Sequence, residues 1–411
     1  KIKDERGFSP VDWRYDDDKF NVVARHHHRA EEDNNSDGNN SSSPSRSLLL
    51  QGHVDVVPAD ESDGWTSPPF SPVIRDGRLY GRGAGDMKAG VVSMIYAVVA
   101  LRKIGYLPRG DVTILTVVEE ECTGNGALAS PLRSLFPSSS SKDTKTAVII
   151  PEPFPFLVTA QMGVLWFRAS VTGKPCHVLQ TSAGSNAIEG AYALYSALKV
   201  LEERYNEPKG NAHPAYRGME HPVNFNLGRI GGGNWASSVP SSCWFECRVG
   251  FFPGVKIEDV KRDVEGTLHN AAAEMSLGLQ VSYRGFHADG AVLLPEYVDE
   301  KRKVEDDNKA DEESLQREFV ETMQSCHGVA TSSNGDDGEE LKFAPITCTC
   351  DARFYSSLYQ DETKVAVTCY GPEATNIHGV DESVSLESMR DVTATIALFI
   401  RDWCGLVKEN G

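Results

Sequence analysis

Residues 48–58 read LLLQGHVDVVP, and the fold class turns on how that stretch is understood. Leu48, Leu49 and Leu50 follow one another with no polar residue between them. A strand with one wet face alternates, so a continuous apolar run suits a strand buried on both faces. Two further short apolar runs occur, VTILTVV at 112–118 and AVII at 147–150, while residues 87–104 have helix length and few polar breaks. Buried strands alternating with helical segments predict an α/β domain built on a mostly parallel, mixed sheet with helices on both faces.

A chain of 411 residues exceeds the roughly 250–300 that one core supports, so a second domain is expected. Residues 163–286 supply it. Leu165, Phe167, Ala169 and Val171 alternate as in a strand, and Ile188, Ala191, Tyr192, Tyr195 and Leu198 recur at helical spacing. Val223, Phe225 and Leu227, then Cys243, Phe245, Cys247 and Val249, alternate again on either side of the run 231–233. Val260, Val264, Leu268 and Ala271 mark a second helix, and Leu279, Val281 and Tyr283 a closing strand. The order β-α-β-β-α-β is that of a ferredoxin-like unit. Inserted there, it leaves a discontinuous larger domain of residues 1–162 and 287–411, with a helix around 314–323. Residues 26–47, HHHRAEEDNNSDGNNSSSPSRS, are too poor in apolar side chains to offset the entropy of ordering and read as a disordered loop insert. Its three histidines read as solvated rather than as a site. Loops of the same kind fall at 138–145 and 332–340.

Composition excludes several functions. A formal charge of −18 repels phosphate backbones, so no nucleic-acid partner is expected. No run reaches the ~18 consecutive apolar residues of a membrane span, so no membrane role is expected either. The nine cysteines are scattered rather than densely spaced, which fits reduced thiols in a cytoplasm-like compartment. Cys348 with Cys350, and Cys243 with Cys247, alternate in strand-like runs and read as packed core thiols. The chain opens at Lys1 rather than Met, so any targeting segment ahead of it lies outside this reading.

Five spots carry candidate chemistry, and four of them sit where an apolar run ends. In an open α/β sheet ligands bind beyond the carboxyl ends of the strands. In LLLQGHVDVVP, His53 and Asp55 lie on one side of an extended segment, so the carboxylate can orient the imidazole. GRLYGRGAGDMKAG, residues 77–90, places Asp86 at a helix start, where it is either an N-cap or a site residue. Its alternating glycines match no phosphate-loop spacing. TVVEEECTGNGA, residues 116–127, sets three carboxylates after a buried run, costly without neutralising cations. Glu152 stands between prolines in AVIIPEPF, and His378 lies in the loop YGPEATNIHGVDE. Two histidines with several carboxylates suit a borderline divalent ion, zinc above all.

With these motifs in this order, the chain resembles the co-catalytic zinc amidohydrolases that include acetylornithine deacetylase, succinyl-diaminopimelate desuccinylase, aminoacylase and glutamate carboxypeptidase. The resemblance runs from about Asn21 nearly to the C-terminus. It implies a metal set of His53, Asp86, Glu121, Glu152 and His378, with Asp86 bridging two divalent ions, zinc first and cobalt as the alternative. It implies Asp55 as an active-site group and Glu120 as general base, with Glu119 their acidic neighbour in a run of three that leaves the register to be settled. The histidine of GKPCHV, His177, is similar to one that steadies the reacting oxygen in a neighbouring subunit, so a homodimer through the inserted lid is implied. Arg248 in ECRVGFFPG and Arg353 in DARFY match substrate-binding positions, although Arg248 could instead pair with acids of the lid. The helical segment that normally precedes the family's first strands is not seen before Asn21, and the 26–47 loop is longer than usual.

The implied activity is metal-dependent cleavage of the amide of an N-acyl amino acid, acetylornithine deacetylase-like, by a water held between the ions. A dipeptidase or carboxypeptidase acting on short peptides is the alternative. A catalytically silent binding protein of the same fold is a third reading.

Overall fold

The structure is a computed structural model, and it describes residues 20–26, 46–130, 135, 144–207, 213–298, 307–332, 338–357 and 364–409. Most of the expected 26–47 loop, at 27–45, lies outside these, as do 138–143 and 333–337 of the two shorter loops. The ends of the first loop are strand instead: His26 closes Val22–His26, and Arg46 and Ser47 open Arg46–His53. Among the described residues two compact units form, one of Ala160–Val292 with Pro345–Thr349, the other of the remainder.

In the larger unit five strands lie in the order Val22–His26, Asp111–Val117, Arg46–His53, Lys145–Ile150, Lys364–Cys369. The first is antiparallel to its neighbour and the other four run parallel. Leu48, Leu49 and Leu50 are all fully buried although successive side chains point to opposite faces, so both faces of the sheet are covered. The register decides where function sits. His53 stands opposite Val117, Leu50 opposite Ile149, and Cys369 opposite Ile150, so the segments leaving these four strands emerge along one edge.

The helix Ala89–Lys103 packs on Arg46–His53 and on the helix Leu386–Phe399, which in turn packs on Asp307–Thr331. Phe319, Phe399 and Trp403 interlock there, and the Trp403 indole N–H donates to the Ser47 carbonyl at 3.2 Å. Residues Ala84–Lys103 are long and apolar enough to span a bilayer by length and composition alone. Their apolarity is that of a core helix, since Met87, Met94, Ala97 and Leu101 are buried against the sheet and its neighbour.

The smaller unit is a four-stranded antiparallel sheet in the order Phe225–Gly232, Ser242–Phe251, Gly163–Thr172, Gly278–Ala288, with helices Ala187–Asn206 and Ile257–Glu274. Leu165, Phe167, Ala169 and Val171 share one core with Phe245, Cys247 and Val249 and with the helix residues Leu194, Leu198, Val260, Val264 and Leu268. This is the βαββαβ arrangement read from the alternation. The segment 345–349, which returns to this unit from far along the chain, had no signal in the sequence.

The cysteine reading needs one correction. Cys243, Cys247 and Cys350 are buried, but Cys348 is exposed, because the strand Phe343–Ile346 ends before it and the two-residue period no longer applies. Cys350 instead packs against Cys369, thiol to thiol at 3.2 Å.

Candidate metal centre and active site

Each chemical side chain at the edge of the large sheet is placed by the turn that follows its strand. His53 closes its strand with a fully buried ring. Its Nδ1 lies 3.0 Å from the Asp55 carbonyl oxygen, which can only accept, so Nδ1 carries a proton and Nε2 is the nitrogen turned to the centre, where a metal would replace its proton. The expected orienting carboxylate is displaced: Asp55 Oδ1 is 3.7 Å from that ring nitrogen. The two Asp55 oxygens accept instead from the Glu120 and Glu121 backbone N–H groups, at 3.3 and 3.2 Å. Asp55 thus fixes the acidic turn, while its own carbonyl fixes the histidine.

Asp86 lies in the turn Ala84–Lys88 with extended backbone, φ −109° and ψ 100°, so it is not the cap of the helix that begins at Ala89. The turn needs glycine at Gly83, where φ is +77° and an added Cβ would sit 2.4 Å from Val56 Cγ1. The two Asp86 oxygens face two different histidines. Oδ1 is 3.0 Å from His53 Nε2 and Oδ2 is 3.3 Å from His378 Nε2. On the first side Glu152 Oε1 is 3.8 Å from His53 Nε2, and on the second Glu121 Oε2 is 3.0 Å from His378 Nε2.

The three glutamates of the run separate cleanly. Glu119, at φ +66°, accepts from Thr123 and Asn125 and closes its own turn. Glu121 turns to His378. Glu120 is buried, and its carboxylate lies within 4.8 Å of ligand atoms of His53 and Glu152.

The electrostatics call for cations. Burial pushes the Glu120 carboxyl well up, and the nearby Asp351 adds to the effect. Burial does the same to Glu152 against the pull of His53. Burial also presses Asp86 upward, but its bonds to His378 and His53 outweigh that and hold it below the usual carboxylate range. Bonds to Asp86 and Glu121 lift His378 to about 10. Protons on the histidines now balance acids that water cannot reach, and divalent ions would do so with better-matched chemistry. Nitrogen and oxygen donors converge as His53, Asp86 and Glu121 and as His53, Glu120 and Glu152, so the residues fit a metal group.

Comparison with known proteins bears on this geometry. Residues 49–402 match the model of peptidase family M20/M25/M40. The chain belongs to that family. It is 25% identical over 376 residues to N-formyl-4-amino-5-aminomethyl-2-methylpyrimidine deformylase of Bacillus subtilis, covering 89% of this chain and 81% of the relative. The fold is similar to that of the dipeptidase Dug1p of Saccharomyces cerevisiae, with a TM-score of 0.67 at 14% identity over 93% of this chain and 82% of the other. A dinuclear metal-binding peptidase of the M20 family from Bacillus subtilis aligns with a TM-score of 0.51 at 13% identity, over 93% and 85% of the two chains. Membership makes this M20 protein a metal-dependent hydrolase of linear amides.

Three candidates of this M20 chain remain. His177 is exposed in the smaller unit, and its Nδ1 accepts the Leu179 N–H at 3.2 Å, which leaves the ring proton on Nε2. Arg248 donates to the carbonyls of Thr347, at 3.0 Å, and Asn224, at 3.4 Å. Backbone oxygens, not acids of the lid, therefore receive its guanidinium. Arg353 is buried in the larger unit, donates to the Cys350 carbonyl at 2.7 Å, and draws the Glu120 carboxyl downward.

Several positions escaped the sequence reading. Asp351, fully buried and bonded to Gln51 Nε2 at 3.0 Å, is pushed up to about 6 by burial against the pull of Arg353. Gly90 and Gly371 clamp the backbone that carries Glu152: an added Cβ would lie 1.9 Å from the Pro151 oxygen at the first and 2.2 Å from the Glu152 oxygen at the second. Glu382, which accepts from the Asp86 turn, precedes the short strand Ser383–Ser385, whose sequence SVS is no apolar run, so nothing local set it apart. No local signal marks the glycines.

Proposed function

We propose that the protein hydrolyses the amide of an N-acyl amino acid, with Glu120 as the proton-transferring group. The observation that carries the reading is the Asp86 carboxylate, whose two oxygens address two histidines on opposite sides. His53, Glu152 and Asp86 Oδ1 would hold one ion, and His378, Glu121 and Asp86 Oδ2 the other. Two zinc ions would supply acidification of a water and polarisation of the acyl carbonyl. Cobalt would serve the same donors.

Glu120 takes the proton of the attacking water as its oxygen bonds to the acyl carbon. It then returns that proton to the amine nitrogen as the carbon–nitrogen bond breaks, leaving a carboxylic acid and a free amine. A carboxylate raised by burial, beside His53 and Glu152, suits both duties. Asp55 sets the position of that carboxylate through the backbone, and Arg353 moderates its charge. His177, with its proton on Nε2, is the donor this reading assigns to the developing oxyanion, supplied by a second copy of the chain in a homodimer. Arg248, a half-buried cation on carbonyls, is the candidate grip on a substrate carboxylate.

Similarity to a deformylase over most of the chain supports deacylation over peptide cleavage, with acetylornithine-type substrates tested first. The cysteines, none joined by a disulfide, suit a reducing compartment such as the cytoplasm. The test is a screen of N-acyl amino acids and dipeptides with zinc or cobalt added, run beside Glu120→Ala. That variant should lose about 10²–10⁴-fold in kcat while keeping its metal content. Retention of most activity by Glu120→Ala would overturn the assignment, and turnover of dipeptides alone would move it to a dipeptidase.

A further inference from the structure

We infer that Glu382 is a positioning residue that locks the loop carrying His378 to the turn carrying Asp86, so that both sides of the metal centre are set by one buried carboxylate. The inference rests on the metal-centre reading above.

Glu382 is fully buried. Its Oε1 accepts from the backbone N–H groups of Gly85 at 2.9 Å and Asp86 at 3.0 Å, and its Oε2 receives Arg82 Nη1 at 2.5 Å. Its own carbonyl accepts from the Gly81 N–H at 2.9 Å, and the strand Ser383–Ser385 that follows pairs with Arg78–Tyr80. Four residues upstream, His378 reaches the same Asp86. An N–H pair on one carboxylate oxygen fixes the peptide plane ahead of the Asp86 side chain, which points its two oxygens at the two histidines.

The loop being held is strained. Asn376, His378 and Asp381 have φ of 55°, 62° and 56°, the left-handed region, which Asn, His and Asp enter more readily than other side chains but still at a cost. The surroundings supply two anchors. Asp381 accepts from Thr66, N–H at 2.9 Å and hydroxyl at 2.5 Å, and the adjacent Glu382 accepts from the Asp86 turn. Arg82 is itself buried and stacks on Trp65, its guanidinium carbon 5.2 Å from the ring centroid, so the cation cannot swing out to water if the acid is removed. A structural ion pair needs only the Arg82 contact. The two amide bonds to the turn before Asp86 are what point to positioning.

The test must avoid stranding a buried charge, because removing one partner of such a pair destabilises by itself. Two double variants differ only at the oxygen in question. R82M/E382Q keeps a carbonyl acceptor for the Gly85 and Asp86 amides, and R82M/E382M removes it at similar volume. Amide hydrogen exchange on the metal-free full chain is expected to show Gly85 and Asp86 protected in wild type and R82M/E382Q but exchanging at least about tenfold faster in R82M/E382M, with the strand Arg46–His53 unchanged. Zinc affinity, measured by competition with a chromophoric chelator, should fall about 10–100-fold in R82M/E382M and be rescued in R82M/E382Q. Wild-type protection and zinc affinity in R82M/E382M would overturn the inference. If R82M/E382M does not fold, E382D retracts the carboxylate by one methylene without changing charge. The same two losses are expected of it, and their absence overturns the inference equally. A wild-type chain that takes up no zinc refutes the proposed function instead, and amide exchange still decides the role of Glu382.

Discussion

Alanine at position 90 is expected to damage the active site from behind. Gly90 lies in the first turn of Ala89–Lys103, and its missing side chain makes room for the chain that leaves Lys145–Ile150. A Cβ there would stand 1.9 Å from the Pro151 carbonyl oxygen and 2.8 Å from its carbon, where ordinary contact begins near 3.4 Å. Room to yield is small, because Gly371 is also packed against this backbone, a built Cβ there lying 2.5 and 2.2 Å from the Pro151 and Glu152 oxygens. The helix cannot withdraw freely either, being packed on Leu386–Phe399. A shift on the order of 1 Å must therefore reach Glu152, and misplacement of that size costs about 10²-fold in rate. Overpacking should also lower stability by about 1–3 kcal/mol. Steady-state kinetics on the best substrate, a zinc titration and urea unfolding measure the three effects. A Gly90→Ala enzyme with wild-type kcat and zinc affinity would refute the argument that Glu152 is placed by the closeness of these backbones.

Gly266→Ala serves as the contrast: it lies in the helix Ile257–Glu274 with nothing near a built Cβ, so a gain of about 0.4–1 kcal/mol in unfolding free energy is expected. Zinc uptake should release protons near neutral pH, because His378, lifted to about 10, is charged in the metal-free chain and must lose its proton to bind. Apparent zinc affinity should accordingly rise with pH up to about 10, read by calorimetry in buffers of different ionisation enthalpy, and a pH-independent affinity would contradict it. The same raised value means that the contribution of His378 to the stability of the metal-free chain is complete below the unfolded value of 6.5 and disappears as pH climbs through about 10, visible in the thermal midpoint.

The amino-acid sequence alone determined what depends on short-range pattern. Strands covered on both faces must be apolar at every position, which is why LLL at 48–50 and AVII at 147–150 declared a parallel sheet before any coordinates. The smaller unit faces its helices with one side only, so a two-residue period appeared at 165–171 and 243–249 and named its topology. The ligand-type residues were legible for a related reason: polar groups directly after buried strands stand out against what precedes them.

Tertiary structure alone decided which partner each group meets. Asp55 bonds the Glu120–Glu121 turn some 65 residues away rather than its neighbour histidine, and Glu382 bonds an Asp86 amide 296 residues away. Glu119, Glu120 and Glu121 are chemically alike in sequence, and it is the fold that has Glu119 close its own turn, Glu121 meet His378 and Glu120 lie beside His53 and Glu152. Gly90 and Gly371 matter for the atoms of another segment, not for their own. A hydrogen bond or a steric limit acts over a few ångströms of space, and the chain reveals such distances only once the sheet's register has brought its strand ends together.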